Sequence, residues 1–264
     1  MTGIDSRSSG LGNRQVIRLR VLRQDRPKGE AGMNQRWEEF EVEWRPGMNI
    51  IGCLMALQRH PVMSDGKVTD AVVWESNCLE EVCGACTMIV NGKVRQACSA
   101  LVDKLAQPIT VEPLTSFPVV RDLIVDRSRV FEAFKRVRAW VPVDGTYDLG
   151  PGPKMTDAQQ QVSYVLSTCM ACTACMEACP NFNEDSPFIG PAAINQARLH
   201  NSHATGAMHA EARLEALMGE GGIAYCGNDQ NCVRVCPKGI PLTESIAEMN
   251  RQVNLHAIKS LFRK

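Results

Sequence analysis

Twelve cysteines give this 264-residue chain its clearest capacity for chemistry. Four of them occur at C-x2-C-x2-C-x3-C-P spacing, in a run that ends at Pro180 and comprises Cys169, Cys172, Cys175 and Cys179. Two intervening residues let the chain curl, so that neighbouring sulfurs point at the same metal centre. Deprotonated cysteines at this spacing hold iron–sulfur clusters. The run therefore predicts cluster binding between residues 169 and 179.

A second run near the C-terminus has the same ending but lacks one cysteine. It contains Cys226, Cys232 and Cys236. In bacterial ferredoxins with two clusters, the fourth cysteine of each run ligates the cluster of the other run. The spacing thus predicts two clusters with crossed ligands. The [4Fe–4S] set is Cys169, Cys172, Cys175 and Cys236, and the second set is Cys179, Cys226 and Cys232.

Asp229 occupies the place of the missing cysteine, three residues after Cys226. Three thiolates match a [3Fe–4S] cluster, which is a cubane that lacks one corner. A carboxylate is also able to bind a fourth iron, which would complete a [4Fe–4S] cluster. Both alternatives are open on the sequence, and the three thiolates favour [3Fe–4S]. In either case, the charge of Asp229 is expected to tune the reduction potential.

A third group of cysteines precedes these runs. Its members are Cys78, Cys83, Cys86 and, after eleven intervening residues, Cys98. C-x4-C-x2-C with a distant fourth cysteine is the plant-type [2Fe–2S] spacing. The intervening residues predict two strands, 87–90 and 93–96, joined by an Asn-Gly type I′ turn that returns Cys98 to the loop. Gly84 suits a chain that bends round a cluster, because glycine tolerates positive φ.

The remaining cysteine, Cys53, lies in a predicted helix at Asn49–Gln58 and is expected to be a small buried side chain. Structural zinc is the alternative for the grouped cysteines, but it predicts separate four-ligand knuckles. The C-x3-C-P endings favour iron–sulfur clusters instead. The sequence has no nucleophile–base pair, phosphate loop or flavin fingerprint. No catalytic residue is therefore predicted, and substrate chemistry is expected in a partner.

The elements around these cysteines predict an α+β chain of two domains. Residues 1–120 should form a plant-type [2Fe–2S] ferredoxin-like (β-grasp) domain, with strands at Val16–Leu22, Trp37–Trp44 and Ile109–Pro113. Residues 121–264 should form an all-α, bacterial-ferredoxin-like domain that carries the [4Fe–4S] and [3Fe–4S] clusters. Its predicted helices are Ser128–Val137, Ala158–Ser167, Pro191–His200, Ala207–Met218 and Leu242–Phe262. Pro118–Lys154 is predicted to link the halves.

Composition excludes several classes of function. A formal net charge of zero argues against a nucleic-acid partner. No apolar run approaches the length of a membrane span. The polar segment Met1–Asn13 predicts no secretory signal, which favours the cytosol, where grouped cysteines usually bind metal. Asp144–Pro153 is expected to be a surface loop, and a loop of this length often lies on a partner subunit. The basic end (Lys259, Arg263, Lys264) is expected to be solvated or to contact a membrane or anchor.

Several segments resemble one known family. They are N-C-L-E-E-V-C-G-A-C-T (77–87), the run at 169–180, F-I-G-P-A (188–192) and N-C-V-R-V-C-P-K-G-I-P (231–241). Together they resemble the iron–sulfur subunit of succinate:quinone oxidoreductases, over Val16 to Lys259. The resemblance implies a flavoprotein partner whose covalent FAD oxidises succinate to fumarate. Electrons would then pass from FAD through [2Fe–2S], [4Fe–4S] and [3Fe–4S] to quinone or haem.

Within that family the chain is most similar to the bacterial subtype with a di-haem cytochrome b anchor. P-V-V-R-D-L (118–123), D-G-T-Y-D-L-G-P-G-P (144–153) and E-A-L-M-G-E-G-G (215–222) carry this closer resemblance. In the ubiquinone branch, a Trp and a His beside the [3Fe–4S] cluster help to build a quinone pocket. Glu184 and Gly227 stand at those positions here. The resemblance therefore implies transfer through haem to menaquinone, at the cytoplasmic face of the bacterial membrane, with the subunit held peripherally by the anchor.

Two other functions remain open on the sequence. Quinol:fumarate reductase is the same kind of complex working in the reverse direction. The direction depends on the reduction potentials of the clusters and the quinone, which the sequence does not give. A stand-alone multi-cluster electron carrier is the second alternative, and it predicts a chain whose surfaces are well covered without partners.

Overall fold

The computed structural model describes residues 15–141 and 154–262. The predictions made for Met1–Asn13, Asp144–Pro153 and the terminal Arg263 and Lys264 lie outside these ranges. In the described part, the first half of the chain contains a β-sheet and the second half is helical. The α+β class is confirmed.

Within residues 15–141, five strands form one sheet in the order β2-β1-β5-β3-β4. Strands β1 and β5 run parallel, and the other neighbours are antiparallel. A helix, α1 (Ile50–Arg59), follows β2 and packs its apolar side on the sheet. The strands are β1 (Val16–Gln24), β2 (Gln35–Glu43), β3 (Thr87–Val90), β4 (Lys93–Gln96) and β5 (Ile109–Glu112).

The β1–β2 hairpin confirms the two strands that were predicted at Val16–Leu22 and Trp37–Trp44. Arg18 faces Glu41 and Arg20 faces Glu39, so basic and acidic side chains oppose one another on the outer face. Arg20 Nε lies 3.1 Å from Glu39 Oε1. Cross-strand pairs of opposite charge stabilise a sheet modestly, and the alternate apolar side chains enter the core.

Helix α1 begins after Asn49, whose side-chain oxygen accepts a hydrogen bond from Gly52 N at 2.9 Å. This is an ordinary N-cap. Its buried aliphatic side chains lie on one face and are Ile50, Ile51, Leu54 and Leu57. Cys53 is 0% exposed, and burial raises the pKa of its thiol to about 12. The thiol is thus kept protonated, as expected of a packing residue.

A short hairpin between the two halves was not predicted. Its strands are β6 (Val119–Arg121) and β7 (Ile124–Val125). Asp122 occupies the turn with φ +46° and is completely buried. Its carboxylate accepts hydrogen bonds from Arg23 Nε at 2.8 Å, from Gln24 N at 3.2 Å and from Val73 N at 2.9 Å. The start of the predicted link is therefore fastened to the sheet.

The second half consists of α2 and, from residue 157 onward, helices α3 to α8. The predicted helix Ala207–Met218 begins as a 3-10 turn, Gly206–His209, and becomes α-helical only at Ala210. The buried Arg213 holds Gly206 O at 2.6 Å, which draws this first turn inward. The helices are α2 (Ser128–Arg136), α3 (Asp157–Ser167), α4 (Ala174–Glu177), α5 (Gly190–Ser202), α6 (Ala210–Met218), α7 (Asn231–Val235) and α8 (Leu242–Leu261).

Each half of the chain has its own hydrophobic core. The first lies between the sheet and α1 and includes Leu123. The second joins the helices and includes Leu114 and Phe117, which precede Leu123 in the chain. The chain thus passes into the helical core, returns to the sheet core and leaves again. The division at residues 120 and 121 stays a prediction.

Candidate metal centres

The loop that carries Cys78, Cys83 and Cys86 bends so that backbone N–H groups face its sulfurs. Cys78 Sγ accepts hydrogen bonds from the N–H groups of Glu80 at 3.4 Å, Val82 at 3.3 Å and Cys83 at 3.3 Å. Donors aimed at a sulfur stabilise its thiolate. They lower the pKa of Cys78 to about 7, with the bonds from Glu80 and Val82 as the largest causes.

Left-handed residues produce this bend. Leu79, Glu81 and Gly84 have φ of +62°, +55° and +72°. Such residues turn successive N–H groups to one side, which forms a concave site for negative charge. The predicted positive φ of Gly84 is confirmed.

The β3–β4 hairpin places the fourth cysteine beside this loop. Asn91 and Gly92 form the turn with φ of +48° and +70°, as a type I′ turn requires. The strands pair from Val90 with Lys93 to Thr87 with Gln96, so that Cys86 and Cys98 flank the open end of the hairpin. Both thiols are buried, and burial raises the pKa of Cys86 to about 11.

In the helical half, Cys169, Cys172 and Cys175 share a cavity with Cys236. Cys236 belongs to the second run, so the cavity brings together residues that are far apart in sequence. Its walls are otherwise mainly apolar, and include Ala192, Ile240 and Leu242.

A second cavity is lined by Cys179 from the first run and by Cys226 and Cys232 from the second. Asp229 also lines it. The side chain of Asn231 donates to Ala178 O at 3.0 Å and joins the two runs. The structure thus groups the seven cysteines in the same crossed sets that the spacing predicts.

The two runs share a local backbone. In the first run, Ala171 and Thr173 have φ of +51° and +69°, and Thr173 precedes α4. At the corresponding positions of the second run, Asn228 and Gln230 have φ of +59° and +62°, and Gln230 precedes α7. The second run therefore repeats the backbone conformation of the first, despite its missing cysteine.

Asp229 therefore stands where Cys172 stands in the first run. Its Oδ2 accepts a hydrogen bond from Asn181 Nδ2 at 3.1 Å. Gly227 leaves room for this pair, since a Cβ there would lie 2.5 Å from Asn181 Nδ2 and 3.0 Å from Asp229 Oδ2. Spacing gave no signal for Asn181, because its partner is 48 residues away.

The buried thiols of these cavities fit a cationic iron core. Burial raises the pKa of Cys172 to about 11 and that of Cys175 well above its usual range. Burial also raises the pKa values of Cys169, Cys179 and Cys232. Cluster ligation needs thiolates, and a bound metal offsets the cost of the buried negative charge. All twelve cysteines are free, so the sulfurs are available.

The two halves meet at their cysteine loops. A Cβ added to Gly84 would lie 2.6 Å from both Cα and Cβ of Cys172. No side chain fits between these backbones, so the loop of Cys83 and Cys86 lies directly against the loop of Cys172. The sequence motif suggested glycine for its φ, but gave no sign of this contact.

Family models match both halves of the chain. Residues 18–132 match a model described as "2Fe-2S iron-sulfur cluster binding domain", and residues 165–240 match one described as "4Fe-4S dicluster domain". The succinate dehydrogenase iron–sulfur subunit of Bacillus subtilis is 55% identical over 252 residues, covering 96% of this chain and 98% of that protein. The chain belongs to this family. It is an iron–sulfur subunit with an electron-transfer role.

Other relatives of the iron–sulfur subunit agree. The fumarate reductase iron–sulfur subunit of Haemophilus influenzae is 30% identical, covering 89% of this chain and 92% of that protein. A solved structure, the Mycobacterium smegmatis Sdh1 complex in the apo form, contains a chain with TM-score 0.73 and 25% identity, covering 90% of this chain and 95% of its own. The family's cofactors are [2Fe–2S], [4Fe–4S] and [3Fe–4S] clusters, and both matched models describe iron–sulfur rather than zinc sites.

Two further observations concern single metal ions and membrane-spanning helices. Among the described residues, no group of three or more His, Cys, Asp or Glu side chains is arranged to hold a single metal ion. In the same residues, no helix has the length and apolar character needed to cross a bilayer.

Proposed function

We propose that this chain carries electrons in a membrane-bound succinate dehydrogenase, from the FAD of a flavoprotein subunit to haem and quinone in a membrane anchor. The observation that carries this proposal is the direct contact between the loop of Cys83 and that of Cys172, within a subunit of this family. It joins the [2Fe–2S] site to the cavities of the helical half. When bound, the clusters supply one-electron redox centres, and the chain supplies their ligands and their spacing.

The ligand sets belong to the proposal. Each of the cavities in the helical half contributes thiols from both runs, which supports crossed ligation. The loop of the N-terminal half supplies a complete plant-type set. We assign Cys78, Cys83, Cys86 and Cys98 to [2Fe–2S], Cys169, Cys172, Cys175 and Cys236 to [4Fe–4S], and Cys179, Cys226 and Cys232 to [3Fe–4S].

Asp229 is proposed to face the [3Fe–4S] cluster without binding a fourth iron. The hydrogen bond from Asn181 already engages Oδ2 of its carboxylate. A carboxylate held in this way places negative charge beside the second cavity. Negative charge opposes the arrival of an electron, so Asp229 should lower the potential of this cluster.

The anchor is proposed to be a di-haem cytochrome b, with menaquinone bound away from the [3Fe–4S] cluster. The Asn181–Asp229 pair supports this, because it fills the space that a side chain at residue 227 would need. Glu184, the other departure from the ubiquinone branch, is exposed and lies 3.4 Å from Lys28 Nζ. Neither position offers the Trp or the His of that branch.

A peripheral place on the cytoplasmic face of the membrane is consistent with the end of α8. There Leu255, Ile258, Leu261 and Phe262 are exposed, with Phe262 83% accessible. Lys259 lies among them. Met208 and Tyr164 are also 79% and 63% exposed. A stand-alone carrier should bury its large apolar side chains. These solvent-exposed apolar side chains therefore disfavour that alternative.

Quinol:fumarate reductase is the second candidate, and the Haemophilus influenzae relative is the observation that favours it. Identity of 55% to the Bacillus subtilis succinate dehydrogenase subunit, against 30%, favours succinate oxidation. Succinate oxidation and fumarate reduction would use the same cluster ligands. Only the rates of the two reactions in the complex distinguish them.

EPR spectroscopy of the purified complex tests the proposal. We expect a [3Fe–4S] signal in the oxidised state and a [2Fe–2S] signal after reduction by succinate, with iron and acid-labile sulfide matching three clusters. Succinate should also reduce haem that co-purifies. Absence of the oxidised signal at full iron occupancy would favour Asp229 as a ligand, and faster fumarate reduction by quinol would favour the second candidate.

A further inference from the structure

Arg127 lies at the junction of the two cysteine loops, immediately before α2. Its guanidinium donates to the carbonyl oxygens of Gly84 at 3.0 Å, Ala85 at 2.9 Å and Thr87 at 3.4 Å. These three residues surround Cys86 in the chain. A planar guanidinium fixes several acceptors at once, which an ammonium group does less well. One side chain therefore holds the backbone on both sides of a predicted ligand.

The same guanidinium faces thiols of both halves. Cys172, Cys86 and Cys83 act on its charge electrostatically, as does Glu75. Burial is the largest influence on Arg127 and lowers its pKa, yet a guanidinium stays protonated in proteins. Its Nε is buried without a hydrogen-bond partner. A positive charge thus lies in a poorly solvated place, where charges interact more strongly than in water.

Arginines within α2 also hold backbone carbonyls, but those carbonyls belong to other segments of the chain. Arg136, in the last turn, donates to Ala216 O at 3.3 Å and to Glu220 O. Arg127 is therefore distinguished by its surroundings and not by its type of contact.

We propose that Arg127 is a positioning residue for electron entry: it holds the Gly84 backbone against Cys172, and its charge makes the [2Fe–2S] site easier to reduce. This inference rests on the ligand sets proposed above. Reduction adds one negative charge to the cluster. A fixed positive charge nearby stabilises the reduced state, so it raises the reduction potential.

The test is a redox titration of the [2Fe–2S] EPR signal in the purified complex, with Arg127→Gln, Arg127→Met and Arg127→Lys. The two neutral variants should shift the redox equilibrium of this cluster roughly tenfold toward the oxidised form, which corresponds to about 59 mV for one electron. Arg127→Lys keeps the charge and should shift it less than threefold. It should, however, increase amide hydrogen exchange in residues 79–87, because the three carbonyls lose the guanidinium.

Arg136→Gln is the matched control, since it removes a carbonyl-holding arginine from the same helix. It should leave the [2Fe–2S] potential and the exchange of residues 79–87 unchanged. Neutral variants with the wild-type potential would overturn the inference, as would a lysine variant shifted as far as the neutral ones. If neither neutral variant assembles the cluster, the lysine variant decides: an unshifted potential with faster exchange supports the inference, and a tenfold shift overturns it.

The wild-type spectrum separates this inference from the proposed function. If the wild-type complex has no reducible [2Fe–2S] signal, the ligand sets themselves are wrong. If the signal is present and only the variants behave otherwise than expected, Arg127 alone has been misassigned.

Discussion

The cysteines of the N-terminal loop and those of the two helical runs lie in different surroundings. In both regions, iron binding requires the thiols to become thiolates. In the loop, Cys78 is half-buried and three backbone N–H groups face its sulfur. In the helical half, Cys172 and Cys175 lie in the walls of a mainly apolar cavity, and burial raises their pKa values. The loop stabilises the thiolate of Cys78 before iron arrives, whereas Cys172 and Cys175 depend on iron to become thiolates.

This difference suggests a division of roles. The loop exposes Leu79 and Val82, which are 49% and 57% accessible, beside the ligands. A partner that delivers electrons needs such an approach. In the helical half, Cys175 and Cys232, one from each cavity, are instead buried in the hydrophobic core. We therefore expect the two halves to respond differently when the clusters or their ligands are changed.

The largest effect is expected from removal of all the clusters by an iron chelator and an oxidant. The helical half would keep two thiol-lined cavities without the clusters that fill them, and should lose its ordered packing. The sheet core is built mainly from aliphatic side chains such as Ile17, Leu54 and Val111, and should stay folded. Hydrogen exchange measured by mass spectrometry should show loss of protection in residues 165–240 and its retention in β1 and β2. Equal loss in both halves would remove the distinction.

The next effect is the loss of one cluster in Cys236→Ser. The crossed arrangement predicts that the [4Fe–4S] signal disappears, although the nearest cysteine in sequence, Cys232, lines the other cavity. The oxidised [3Fe–4S] signal should remain in EPR spectra of the complex. Cys53→Ser is the control, because Cys53 is a buried cysteine that lines neither cavity, and all clusters should survive. A change confined to the [3Fe–4S] signal would show that the ligand sets are exchanged.

The sequence predicted most of what is local. Cysteine spacing predicted which cysteines of the helical half lie together, alternation of apolar and charged residues predicted β1 and β2, and Asn91-Gly92 predicted the turn that returns Cys98. These signals lie within a few residues of what they determine, so no knowledge of distant contacts was needed. The capping box at Thr156, which begins α3, is local in the same sense.

The junction between the halves could not be predicted, because it depends on contacts between residues far apart in the chain. Asp122 is 99 residues from its partner Arg23, and each side chain alone looks like ordinary surface charge. The contact of Gly84 with Cys172 likewise has no signal in either motif. Arg127 precedes an exposed-looking helix start, and only the folded chain shows that it holds the loop of Cys86.

A smaller effect, a change in the type of one cluster, is expected from Asp229→Cys. The shared backbone places residue 229 where Cys172 stands in the first run, so a thiolate there should complete a [4Fe–4S] cluster. The oxidised [3Fe–4S] signal should disappear and iron content should rise by one atom per chain. Asp229→Asn is the control, because it keeps the shape of the side chain and should leave the cluster type unchanged. A cysteine variant with full cluster occupancy and an unaltered oxidised spectrum would contradict this placement.

The smallest effect concerns proton affinity at Cys78. Hydrogen bonds from the Glu80 and Val82 N–H groups lower the pKa of this thiol to about 7. In the cluster-free chain, alkylation of Cys78 by iodoacetamide should reach half its maximal rate near pH 7. Cysteines of the helical half should react only at higher pH, whether they stay buried or become exposed with an ordinary pKa near 8.5. Mass spectrometry of the labelled peptides would measure both profiles.

The same hydrogen bonds determine how the stability of the folded loop changes with pH. Because the pKa of Cys78 is lower in the folded loop than in an unfolded chain, the loop binds fewer protons when folded. Its contribution to stability is therefore complete above about pH 9 and is lost as the pH falls through about 7. In guanidinium the profiles of all cysteines should coincide, since the N–H donors are no longer held in place. If Cys78 and Cys172 react with one pH profile in the native buffer, backbone donors do not distinguish the two regions, and burial alone would have to account for both.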